Sequence, residues 1–167
     1  MNIHPILVHF PIALLTIYAV IELIRVPAFQ SKSPVFYIKF AFVSIGWIFS
    51  LIAAASGEGA EHIVGYSSLV ETHSSFAGAT EVVFGIIAVW YILSFLEKEA
   101  IQIPYIETRI RPILSFLMTF TKKIKVIIPI LAFAGLILVT ITGALGGAIV
   151  YGPDVDPIVR FIYNLLF

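Results

Sequence analysis

The chain has 167 residues, of which 60% are hydrophobic, 14% aromatic and 12% charged; its formal net charge is zero and it has no cysteine. Soluble domains carry about 25% charged residues, so this composition points to a membrane protein, and the charge balance offers nucleic acid no basic field. The missing cysteines exclude disulfides, iron–sulfur clusters and thioether-attached haem, and two methionines, Met1 and Met118, leave little scope for a thioether ligand.

A bilayer core takes about 20 apolar residues per helix, and four stretches qualify. The first span is expected over about 5–24. No basic segment precedes it and it is long enough to cross, so a span is expected here rather than a cleaved signal peptide. Pro5 suits a first helical turn. Pro11, inside the span, predicts a kink that frees the carbonyl of Leu7 and re-aims His9. Glu22, near the far end, sits three residues from Arg25 and reads as half of an interfacial ion pair. The second span covers about 37–61 and ends AAASGEGAEH, with small residues Ala53, Gly57 and Gly59 before His62. The third covers about 69–96. Ser68 with Glu71 three residues on has the form of a capping box and marks its start.

Residues 105–121 are too short and too charged to cross and read as an amphipathic helix on the membrane surface. The fourth span covers about 126–150, with Pro129 in its first turn and Gly143 and Gly147 at GxxxG spacing. A short helix over 157–166 follows, with Asp156 as N-cap and Pro157 at its first position. It is expected on the surface, where it could cover the histidine end. Period-2 alternation is absent, so a barrel is not expected. The expected fold is all-α: a single integral membrane four-helix bundle over 1–167 with short interfacial helices.

Nine of the ten Lys and Arg fall in two connections: Arg25, Lys32 and Lys39, then Lys98, Arg109, Arg111, Lys122, Lys123 and Lys125. The positive-inside rule puts both connections in the cytoplasm. Both termini are then outside, in a multi-pass protein of a bacterial-type plasma membrane. The Gly57–His73 connection, which holds Glu58, Glu61 and Glu71, also faces out.

All four histidines, His4, His9, His62 and His73, therefore gather at the outer end. At 1.5 Å per residue, His9 and His73 lie about 6 and 7 Å into their helices, while His4 and His62 sit at the rim. Neutral imidazole is a good ligand for haem iron, copper and zinc. Two pairs at two depths would suit axial ligation of one or two haems, with His9 and His73 as the first pair and His4 and His62 as the second. A four-imidazole metal cage is the alternative. Ala77 and Gly78 offer room for a ring, and Phe10, Phe76 and Phe84 could pack on it. Interfacial histidines also serve as hydrogen-bonded anchors, and small residues pack most membrane helices, so the pattern has a plain structural reading too. Glu81, near mid-membrane on the face of Ser74, Gly78 and Gly85, is expected to point inward as a proton or quinol group. Glu58, Glu61 and Glu71 could orient imidazoles or simply line a solvated loop.

The opening HPILVHFPIALL, with ETHSSFAGAT and TGALGGAIVYG later, resembles a bacterial family of four-helix membrane proteins of unknown function with an HPxxVHFPIAL signature. The likeness runs over nearly the whole chain. It implies a four-helix membrane domain, sometimes joined to electron-transfer modules and suggested to bind haem. It carries over His4, His9 and His73 directly and His62 less clearly. The expected function is that of a b-type cytochrome, an electron-transfer subunit more than a stand-alone enzyme. It would pass electrons between membrane quinol and an outer-side redox partner. The alternatives are a non-haem metal protein and a non-catalytic scaffold subunit of a larger complex.

Overall fold

The computed structural model describes residues 3–24, 26, 33–100, 116, 119 and 121–167. The expected surface helix over 105–121 and the partner Arg25 expected for Glu22 fall almost wholly outside these residues. Among the described residues there is no strand, and six helices organise the fold. They are α1 (His4–Leu7), α2 (His9–Leu23), α3 (Ser33–Val64), α4 (Ser68–Ala100), α5 (Ile128–Tyr151) and α6 (Pro157–Leu166).

Four spans are long and apolar enough to cross a membrane: His4–Leu23, Ser33–Val64, Ser68–Glu99 and Ile128–Tyr151. Much of their outward surface is large and apolar, including Ile17, Ile45, Ile48, Val82, Ile86 and Phe133. Helices satisfy their own backbone groups, which is what a hydrocarbon environment demands. The chain is a multi-pass membrane protein.

Local signals set the boundaries. Pro11 has no N–H to return to Leu7, so the helical ladder lacks one bond there; Val8, between α1 and α2, keeps helical dihedrals (φ −65°, ψ −22°), and His4–Leu23 is one span. The start of α4 is capped by Ser67, one residue before the serine expected: its Oγ accepts from Val70 N at 3.2 Å, and its carbonyl from Glu71 N at 3.0 Å. Gly65, at φ +87°, supplies the left-handed conformation that ends α3. Asp156 caps α6 as expected, accepting from Ile158 N and Val159 N at 2.8 and 2.9 Å.

The four long helices close a ring: α2 packs on α3, α3 on α4, α4 on α5 and α5 on α2, while α1 lies against α3 and α6 against α5. Large side chains fill the centre, led by Leu15, Tyr18, Phe84, Ile87 and Tyr91. Glycines receive them. A Cβ at Gly46 would stand 2.7 Å from Leu15 Cδ2, and one at Gly135 would stand 2.8 Å from the Phe84 ring. Membrane helices approach closely through such small residues because lipid supplies no hydrophobic drive of its own.

At the end away from the histidines, the structure corrects the reading of two charges. Lys39 is not a loop residue but lies within α3, 8% exposed, with its Nζ 2.9 Å from Glu22 Oε2. Tyr91 donates to the same carboxylate oxygen at 2.7 Å. One buried charge cluster thus ties α2, α3 and α4 together. Trp90 donates to the Thr121 carbonyl at 2.9 Å, and Thr121 donates to Glu97 at 2.9 Å.

Candidate functional site: two imidazoles seated on glycines

The four histidines do share one end of the bundle, but they do not share one environment. His4 and His73 are half-buried and reach across to neighbouring helices; His9 and His62 are exposed. Five residues of helix between His4 and His9 turn the two side chains about 140° apart. His4 belongs to α1, which lies on α3, whereas His9 opens α2 and turns its Nδ1 back to the carbonyl of Pro5. His62 lies two residues before the end of α3, beside an open cleft with Glu58, Glu61, Gly65 and Tyr66. Of the pairs expected from depth, His9 with His73 and His4 with His62, each joins a half-buried ring to an exposed one.

His4 and His73 dock in the same way. His4 Nδ1 lies 3.0 Å from the Ala53 carbonyl and 2.8 Å from Ser56 Oγ. Four residues after Ala53 comes Gly57, where a Cβ would stand 3.2 Å from the His4 Cε1 atom. His73 Nδ1 lies 3.1 Å from the Thr142 carbonyl. Four residues after Thr142 comes Gly146, where a Cβ would stand 3.3 Å from the His73 Cε1 atom. In both cases the imidazole reaches a helix carbonyl past a glycine at the next turn, where a larger residue would crowd the ring.

These contacts fix the tautomer. A carbonyl oxygen can only accept, so Nδ1 of His73 and of His9 carries the proton. Ser56 already donates its hydroxyl to the Ala53 carbonyl at 2.7 Å, so its oxygen accepts from His4 Nδ1 as well. In their neutral forms all three rings then hold their lone pair on Nε2. An imidazole used as a metal ligand is commonly oriented this way, with its other N–H given to a carbonyl.

Thr142 connects His73 to a deeper polar contact. Its Oγ1 lies 3.1 Å from Thr80 Oγ1, two turns below His73 on α4. Both hydroxyls also lie within bonding distance of carbonyls on their own helices, at 2.8 Å.

The other expected site residues divide. Phe76 and Ala77 are half-buried, and Phe76 packs beside a small cluster of Leu145, Ala148, Val159 and Ile162. Gly78 is exposed, with nothing near the position a Cβ would take, and Phe10 is 50% exposed and stacks on Phe49. Phe84 is buried far from solvent in the main core. Glu81 is half-buried, with Oε1 enclosed and without a hydrogen bond. The face expected to carry it inward does so only in part: Ser74 and Gly78 lie on the exposed side, and only Gly85 is buried, where its missing Cβ admits the Trp47 indole. Glu71 accepts from Tyr66 at 2.6 Å rather than from an imidazole, and this bond holds the Tyr66 phenol above its ordinary pKa.

Among the described residues, no three side chains of His, Asp or Glu come together as a metal-ligating group. The four-imidazole cage is thus not assembled among the described residues, and His4 and His73 are the two histidines that reach a neighbouring helix. Gly57 and Ala53 were legible as candidates from their place before His62. Ser56, Thr142 and Gly146 were not; the signal that could have found the last two is the four-residue spacing repeated in Ala53–Gly57 and Thr142–Gly146. No protein-family model, curated protein or solved structure matches the chain.

Proposed function

We propose that the chain is a membrane b-type cytochrome holding one haem through Nε2 of His4 and His73. The observation that carries this reading is the shared docking of the two rings: each gives its Nδ1 proton to a helix carbonyl beside a glycine, which leaves Nε2 as the ligand nitrogen. The residues fit in chemistry, since neutral imidazole nitrogen is a good ligand for haem iron. When bound, the haem supplies a one-electron carrier. The chain does the rest: His4 and His73 bind and orient, Gly57 and Gly146 make room, and Phe76 and Ala77 line the approach along α4.

In this reading the histidine end faces outward, because Lys98, Lys122, Lys123 and Lys125 lie toward the other end. The membrane is a bacterial-type plasma membrane. Electrons come from a membrane quinol and leave to an outer-side redox subunit, with Glu81 as the group that holds a proton at mid-membrane. Copper, zinc or non-haem iron on the same two histidines is the nearest variant.

A second reading has its own support. The bonds from His4 to Ala53 and from His73 to Thr142 tie α1 to α3 and α4 to α5, so both rings could serve only as interhelix latches in a scaffold subunit. Absorption spectra of the detergent-purified protein, expressed with ample haem, separate the readings. The cytochrome reading expects a Soret band that shifts on dithionite reduction. His4→Ala or His73→Ala should remove it, and His9→Ala or His62→Ala should leave it. A wild-type protein without a Soret band overturns the reading; metal in elemental analysis then selects the variant, and its absence selects the latch.

A further inference from the structure

The last helix, α6, has more apolar surface than the bundle uses. Val159 and Ile162 are buried against Leu145 and Ala148 of α5. Yet Ile158, Phe161 and Leu165 are 62%, 68% and 68% exposed. At 100° per residue these three fall within one narrow arc beside the buried one, because they are spaced three and four apart. Arg160 and Asn164 fall on the opposite side, and Arg160 pairs with Asp154 at 2.8 Å in the open. The connection to α5 is only Gly152–Asp156, so α6 cannot leave the membrane surface at which α5 ends. Val150 and Tyr151, at the end of that span, are exposed as well.

We infer that α6 is an in-plane lipid-binding helix, with Ile158, Phe161 and Leu165 seated in the leaflet on the histidine side and Arg160 and Asn164 turned to water. A helix that is apolar over half its circumference and polar over the rest binds a bilayer interface in this attitude. The inference does not depend on haem. It bears on the site all the same, because the cluster under α6 includes Leu69 and Phe76, one turn before and one turn after His73. Lipid that holds α6 down also holds that wall of the site in place.

The chain has no native cysteine, so single spin labels test the inference directly. Cysteine is introduced at Ile158, Phe161, Leu165, Arg160 or Asn164 in turn, in the full chain, labelled, and reconstituted in phosphatidylcholine nanodiscs. Collision with oxygen, which concentrates in lipid, is compared with collision with a water-soluble nickel chelate. Labels at 158, 161 and 165 should favour oxygen several-fold over those at 160 and 164. Equal access of nickel to all five positions overturns the inference, as does exclusion of both reagents from 158, 161 and 165, which would mean burial against protein. As a check free of labels, Phe161→Trp in a Trp47→Phe, Trp90→Phe background should be quenched by lipid brominated near the headgroup. Failure of that quenching also counts against the inference.

Discussion

His73 passes Gly146 with its Cε1 atom 3.3 Å from the point where a side chain would begin. The contact is tight but not closed. Gly146→Ala should therefore leave overall stability within about 1 kcal/mol, because the better helix propensity of Ala offsets the crowding. It should still shift the His73 ring, read as a changed imidazole NMR signal or Soret position. Gly146→Leu should expel the ring and lose the His73–Thr142 bond. An unchanged imidazole signal in the Leu variant would show that the ring does not use this seat.

Gly46 and Gly135 are predicted to behave differently. A Cβ there meets Leu15 at 2.7 Å and the Phe84 ring at 2.8 Å, both in the packed centre. Gly46→Ala and Gly135→Ala should each destabilise by about 1–3 kcal/mol, measured as unfolding in mixed micelles by added sodium dodecyl sulfate. Stability equal to wild type in both would mean the core gives way more easily than this packing implies.

The Glu22–Lys39 pair makes a prediction about coupling. Removing one partner leaves the other charge buried without its counter-ion, so Lys39→Met or Glu22→Leu alone should cost about 3–5 kcal/mol, whereas the two together should cost less than the sum. Tyr91→Phe should lose a hydrogen bond to a charged group, about 1.5–3 kcal/mol. Strict additivity in the double variant would contradict the pairing.

Thr142 separates backbone from side chain. Thr142→Val removes the contact with Thr80 Oγ1 but keeps the carbonyl that receives His73. The expected cost is about 0.6 kcal/mol, typical of a hydrogen bond between membrane helices, with the His73 signal unmoved. A displaced His73 signal would show that the hydroxyl contact holds the carbonyl in place.

The Tyr66–Glu71 bond predicts a pH effect outside the membrane. The Tyr66 phenol is held above its ordinary value by the proton it donates to Glu71. Since the folded state favours the neutral phenol, the contact is complete below the ordinary tyrosine range and is lost as pH rises through the elevated value. Glu71→Gln should bring the Tyr66 titration back toward its ordinary range, read by the ultraviolet difference against Tyr66→Phe. An unmoved titration would remove Glu71 as the cause.

Axial position along each helix was readable from the residues alone, and azimuth was not. Run length located four spans and the capped final helix, because apolar composition and caps are local properties. The ends of α3 and α4 lie beyond the apolar runs, at Ser33 and Ala100, since polar residues continue a helix once it leaves lipid. Histidine depth could be counted, which put all four at one end. Which rings reach a neighbouring helix depends on the order of helices around the ring, which is tertiary. Lys39 shows the same limit: as a residue near a basic connection it read as a loop charge, and only the approach of α2 to α3 makes it the partner of Glu22.

The length of the α3–α4 hairpin has a mechanical consequence. At 32 residues α3 is about 48 Å long, against a hydrocarbon slab of about 30 Å. Concealing it entirely would take an inclination of about 50°, steeper than the roughly 40° limit of membrane helices. Some of the hairpin must therefore stand proud of the bilayer. If the overhang is at the Gly65 bend, that bend becomes a natural insertion point for an epitope or a rigid fiducial, and His62 becomes reachable by water-borne reagents that never enter lipid.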